Sequence, residues 1–151
     1  MTARLNPYAL ASNPVKPLIE FATLIQSRLE PSLAELVKIR ASQINGCAIC
    51  LHMHATEARR KGETEERIFM LDAWRETALY SPRERAALAW TEALTRLAPE
   101  GVSDEDYRAV EANFSPEEQM NLTLMIGVIN SFNRIGVGYR LGPADFSRKA
   151  A

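Results

Sequence analysis

Apolar residues recur along almost the whole chain at the i, i+3, i+4 spacing that gathers them on one side of an α-helix. From Pro17 to Leu29 the stripe is Leu18, Phe21, Ala22, Ile25 and Leu29, and Pro31 separates it from the next. Ser32 to Asn45 repeats the spacing with Leu33, Leu36, Val37, Ile39 and Ile44, and Gly46 suits a break between helices. A new helix is expected from about Cys47 to Lys61. There Arg59, Arg60 and Lys61 place positive charge on the C-terminal turn and Gly62 ends it, so the basic triplet reads as helix chemistry rather than a binding patch. Ser81-Pro82-Arg83-Glu84 and Ser115-Pro116-Glu117-Glu118 are capping boxes, each pairing a hydroxyl cap with a glutamate three residues on.

The first box opens a helix carrying Ala86, Ala89, Trp90, Ala93, Leu94 and Leu97. The second opens a long helix through Leu122, Leu124, Met125, Ile126, Val128, Ile129 and Phe132. Ser103 to Phe114 reads as a shorter helix, and residues 1–13 as an irregular arm. No segment alternates apolar and polar residues between hairpin turns, so the fold class is all-α. The last long helix is apolar around most of its circumference, so it either forms the centre of a bundle or is covered by another subunit, which makes an oligomer a natural expectation. Trp74, Trp90 and the methionines are read as core or interface.

Composition bounds the rest. A length of 151 residues fits one domain, and 46% hydrophobic with 25% charged residues is the make-up of an ordinary globular protein. A net charge of -1 offers no field to hold nucleic acid or an anionic membrane. Met1 to Leu10 lacks the layout of a secretory signal, and the apolar run from Met120 to Val137 is interrupted by Asn121, Asn130, Ser131, Asn133 and Arg134. The expectation is a cytoplasmic protein without a membrane span. In that reducing compartment a close cysteine pair points to redox cycling or metal binding rather than a structural disulfide.

That pair is Cys47 and Cys50, the only two cysteines of the chain, with His54 one helical turn further on. At about 100° per residue, Cys47, Cys50 and His54 fall within an arc of about 60°, while His52 lies roughly opposite. A helix N-terminus and a neighbouring imidazole both activate thiols, and the unpaired amides of the first turn favour a thiolate at Cys47. His54, four residues after Cys50, reaches that sulfur directly or through water. A histidine base usually has a carboxylate to orient it, and Glu35, on the preceding helix among Leu33, Leu36, Val37 and Ile39, is the candidate. Two thiolates, an imidazole and a carboxylate could equally form a tetrahedral metal site, and the cysteines could be no more than small buried hydrophobes.

Glu35, Cys47, Cys50 and His54 keep the spacing of a glutamate, a Cys-x-x-Cys twelve residues later and a histidine four residues after its second cysteine. Together with Glu35 to Arg40, Ser42 to Cys47, Ser81 to Leu88 and Asn130 to Arg134, this resembles the alkylhydroperoxidase D-like members of the carboxymuconolactone decarboxylase superfamily, over about residues 35–138. The resemblance implies one such domain across the chain, a helical bundle assembling into dimers, trimers or hexamers, and a thiol peroxidase that needs no cofactor. It also implies that Cys50 attacks a hydroperoxide and Cys47 resolves the product as a disulfide, with His54 and Glu35 assisting. An external dithiol, of the dihydrolipoyl type in much of the family, would restore the pair. The dipole argument favours Cys47 as the thiolate instead, and the resemblance is followed because His54 sits nearest Cys50. The alternative within the superfamily is a lactone decarboxylase or isomerase, which would leave both cysteines idle. One departure stands out: the well-studied peroxidases carry a histidine beside the second cysteine where this chain has Ile49, so a relay through that residue cannot run here in the same form. His52 does not replace it, because its helical phase points away.

Overall fold

Ten consecutive residues, Leu33 to Ser42, are buried in one helix, and the remaining elements are arranged around it. The computed structural model describes residues 2–98 and 101–147. Every regular element among them is helical: α1 (Lys16–Gln26), α2 (Pro31–Asn45), α3 (Ala48–Arg60), α4 (Glu65–Met70), α5 (Pro82–Thr95), α6 (Asp104–Asn113), α7 (Pro116–Gly138) and α8 (Pro143–Ser147), with 3-10 turns at Pro7–Ala9 and Leu71–Glu76. The all-α expectation therefore stands.

The helix starts are set by side chains. Both capping boxes form, with Ser81 and Ser115 accepting from the amides of Glu84 and Glu118 while those glutamates accept from the serine amides. Thr64 and Ser103 cap α4 and α6 in the simpler way. Several ends differ from the sequence reading. Helix α1 stops at Gln26, so Leu29 reaches the core from a turn, and Phe21 on the expected inner stripe is exposed. Helix α5 stops at Thr95, which leaves Leu97 exposed beyond it. The segment α4 and its following 3-10 turn were not expected at all.

Helix α2, rather than α7, is central: it packs against α3, α5 and α7 at once. Helix α7 is covered by α1, α2, α3 and α5 of the same chain, so its apolar circumference carries no argument for a second subunit. One cluster gathers Ile25, Leu33, Val37, Val110, Phe114, Leu122 and Met125 on the α1/α6 side. Another, on the opposite side of α2, gathers Leu36, Ile39, Ala58, Leu71, Trp74 and Leu88, which makes Trp74 a core residue as expected. A small third cluster holds Cys47, Ile49, Cys50 and Leu141 against Ala3 and Tyr8 of the N-terminal arm. No helix of the described residues is long and apolar enough to cross a membrane.

Candidate active site

The cysteines are delivered by the turn between α2 and α3. Gly46 takes a left-handed conformation (φ 64°), which costs glycine little, and the Cys47 amide then donates back to the Ser42 carbonyl at 3.0 Å. Cys47 is extended (φ −85°, ψ 95°) and stands just outside α3 at its N-cap, one residue later than the sequence suggested for the helix start. Buried amides brace this turn from α7. Asn45 donates to the side-chain oxygens of Asn130 and Asn133 at 2.9 Å each, and Asn133 donates to the Ser42 hydroxyl at 3.0 Å. The Asn130 to Arg134 run thus holds α7 to the end of α2, beside the turn that carries the cysteines.

Cys47 and Cys50 are joined as a disulfide, with Cα atoms 5.4 Å apart, inside the usual span for such a bridge. Cys47 is fully buried, whereas Cys50 keeps 6% of its surface. Cys50 and His54 both line a mostly apolar cavity of about 430 Å³ between α1, α3 and α7, together with Tyr8, Ile19, Ile49 and Phe132. His54 sits at the junction with a second, polar cavity of about 530 Å³, which Glu35 and Lys38 line.

Glu35 is 1% exposed, so the sequence expectation that it turns inward holds. Its Oε2 lies 3.2 Å from His54 Nδ1, and its Oε1 accepts from Lys38 Nζ at 2.8 Å and Lys61 Nζ at 2.7 Å. Gln26 accepts from the same Lys38 ammonium at 2.6 Å. Burial pushes the Glu35 carboxyl up, but the hydrogen bonds from His54, Lys38 and Lys61 and the Lys38 charge outweigh it and hold the group at about 2. Burial pulls Lys38 down despite Glu35, so the pair as a whole stabilises the fold by less than the carboxylate alone would suggest.

His54 is likewise pulled down, first by burial and then by the Lys38 and Lys61 charges, against its hydrogen bond to Glu35, which raises it. The lowered pKa favours the neutral ring. An ionised carboxylate only accepts, so the single ring proton belongs on Nδ1, facing Glu35, and Nε2 is left as a base. That is the arrangement a general base for a thiol requires.

All four expected site residues come together on α2, α3 and the turn between them. His52 is exposed and lies outside the cysteine cavity, as its helical phase indicated. The basic triplet does close α3, with Arg59 and Arg60 in its last turn and Lys61 at the cap. Arg59 and Arg60 pair with Glu65 and Glu57 at the surface, but Lys61 turns inward to Glu35, because an unsolvated carboxylate there has room for a second cation. Lys38, Lys61, Gln26, Tyr8 and Gly136 were missed. Only Lys38 had a signal, its i+3 spacing from Glu35. Among the described residues no group of three or more His, Cys, Asp or Glu side chains could hold a metal ion, and the oxygens of Glu35 already face two ammonium groups and His54.

The profile of the carboxymuconolactone decarboxylase family matches residues 18–93, which takes in α2, the turn and α3. The chain belongs to that family. An uncharacterized protein of Bacillus subtilis, YdfG, is 41% identical over 138 residues, covering 91% of this chain and 94% of its own length. An uncharacterized Escherichia coli protein, YnjA, is 28% identical over 105 residues, or 70% of this chain and 57% of that one. A crystal structure from Agrobacterium tumefaciens, of a protein of unknown function proposed to be an antioxidant defence protein AhpD, superposes with a TM-score of 0.90 at 39% identity, covering 94% of this chain and 99% of the other. A peroxidase-related protein from Silicibacter shares the fold (TM-score 0.77, 21% identity, 89% and 72% of the two chains).

Proposed function

We propose that this member of the family is a thiol-dependent peroxidase working through a Cys47–Cys50 dithiol/disulfide cycle. The observation that carries the reading is a bonded cysteine pair whose more exposed member, Cys50, opens on the same cavity as a neutral, Glu35-held His54. His54 Nε2 takes the Cys50 proton. The thiolate attacks the terminal peroxide oxygen, the O–O bond breaks, and the proton passes to the departing alkoxide, leaving Cys50 as a sulfenic acid and an alcohol. The Cys47 thiol then attacks the Cys50 sulfur, and its proton leaves with the sulfenic hydroxyl as water. An external dithiol, of the dihydrolipoyl class by family resemblance, returns two electrons and two protons.

Burial favours this division of labour over its reverse. The helix-start amides favour a thiolate at Cys47, yet Cys47 has no exposed surface and a peroxide meets Cys50 first. Ile49 is buried against both cysteines and contributes no proton relay, so His54 serves alone. Assembly into a homo-oligomer belongs to the same proposal, supported by Ile19, Phe21 and Leu24 exposed on α1. The test is thiol titration with mass spectrometry on reduced protein given one equivalent of peroxide. Both thiols should disappear into an intramolecular disulfide, and Cys50→Ser should abolish peroxide consumption; unchanged consumption by that variant would overturn the reading.

A further inference from the structure

Helix α7 carries Gly127, Gly136 and Gly138, and glycine weakens a helix interior because it has the most backbone freedom to lose. Gly127 and Gly138 face open space, where a Cβ would meet nothing within 4 Å. Gly136 is different. A Cβ there would lie 2.7 Å from Cys47 Sγ, 3.1 Å from Ile49 Cγ2 and 3.6 Å from Cys50 Sγ. The first distance is one that a methyl carbon and a sulfur essentially never adopt, so something must shift, and the bond to Cys50 restricts how far the Cys47 sulfur can move.

We infer that Gly136 is a positioning residue for the cysteine pair, its bare Cα being the seat on which Cys47 Sγ rests when the disulfide closes. The inference rests on the redox cycle proposed above. In the dithiol the tether is gone and each sulfur regains rotation about its own Cα–Cβ bond, so a methyl group at position 136 is accommodated more easily in the reduced form than in the bonded one. A side chain there therefore acts on the redox equilibrium and on the resolving step, not on the attack by Cys50.

The test equilibrates wild type, Gly136→Ala and Gly127→Ala with dithiothreitol redox buffers, in which two thiols give two electrons and two protons to the oxidised buffer as the bridge forms. Gly136→Ala should hold the dithiol about tenfold more strongly than wild type, or about 30 mV. Gly127→Ala should match wild type. The reduced Gly136→Ala protein should melt no lower than reduced wild type, because alanine is the better helix former, while its oxidised form melts lower. With peroxide, dimedone should trap Cys50 sulfenic acid for longer in Gly136→Ala. An unchanged dithiothreitol equilibrium would overturn the inference. If Gly136→Ala does not fold, Gly136→Ala with Cys47→Ala decides: recovery of the fold supports the contact with Cys47, and continued failure refutes it. The dithiothreitol equilibrium needs no peroxide, so loss of the peroxidase reading alone, seen as wild type that ignores peroxide, leaves a separate result here.

Discussion

Two glutamates are buried, Glu35 on α2 and Glu92 on α5 against it, and each is held by several cations, yet only Glu35 belongs to the candidate site. Glu92 accepts from Arg40 and from the Trp74 indole at 2.8 Å each and pairs with Arg75. Arg40 also pairs with Asp72. Its partners are guanidinium groups, which stay charged at any ordinary pH, and an indole that only donates. Glu35 instead holds two ammonium groups and an imidazole, and the imidazole opens on the cysteine cavity. A buried carboxylate is thus weak evidence of chemistry by itself. Partners able to change protonation, placed beside a cavity, make the difference.

The largest effects should come from removing each carboxylate in turn. Glu35→Gln takes the orienting acceptor from His54, and we expect peroxide reduction by the folded protein to fall on the order of 100-fold. Glu92→Gln takes from buried Arg40 one of its two carboxylate partners, leaving Asp72, and should destabilise by about 2 kcal/mol while the folded fraction keeps its rate. Stopped-flow thiol oxidation beside denaturant unfolding measures both. A Glu92→Gln rate as low as that of Glu35→Gln would break the distinction.

Acid should treat the two carboxylates alike in stability and differently in rate. Burial raises the Glu92 carboxyl, but Trp74, Arg75 and Arg40 more than offset it, and its pKa is lowered as that of Glu35 is. For Glu35, held at about 2 against an ordinary 4.5, the ionised form contributes stability that is complete above 4.5 and is lost as pH falls toward 2. His54 also takes up its proton later in the folded state, so its contribution is complete above 6.5 and drains away below it. The rate, however, should follow His54 alone. Lys38→Met removes a charge that lowers the His54 pKa, leaving Lys61 on Glu35, and should move the acid limb of the peroxide rate to higher pH. Lys38→Met and wild-type profiles that superimpose would show that Lys38 does not act through His54.

The difference between the glutamates also marks what was legible in the sequence. The Glu35, Cys47, Cys50, His54 spacing was visible because three of the four lie on one turn and one helix, where local periodicity determines direction. That α2 is the central helix was not, since its buried face includes Glu35, Lys38 and Arg40, which hydropathy assigns to solvent and tertiary pairing brings inside. The region from Glu65 to Glu76 escaped because its core positions Ile68, Leu71 and Trp74 repeat every three residues, the tighter spacing of a 3-10 turn. Lys61 and Gly136 meet the site from α3's far end and from α7, and separation along the chain hides such contacts.

His52 provides the smallest expected effect and the closest test of direction along α3. It is exposed, lines the polar cavity with Glu35 and Lys38, and differs from His54 by only two residues. Two residues turn a helix by about 200°, which separates its ring from the cavity that Cys50 lines. His52→Ala should therefore change the peroxide rate by less than about twofold, since its ring is exposed and outside the cavity that Cys50 lines. His54→Ala should lose on the order of 100-fold in the same assay. A tenfold loss in His52→Ala would mean that the polar cavity feeds protons to Cys50, and the contrast between a carboxylate that serves His54 and one that serves only the fold would have to include a second imidazole.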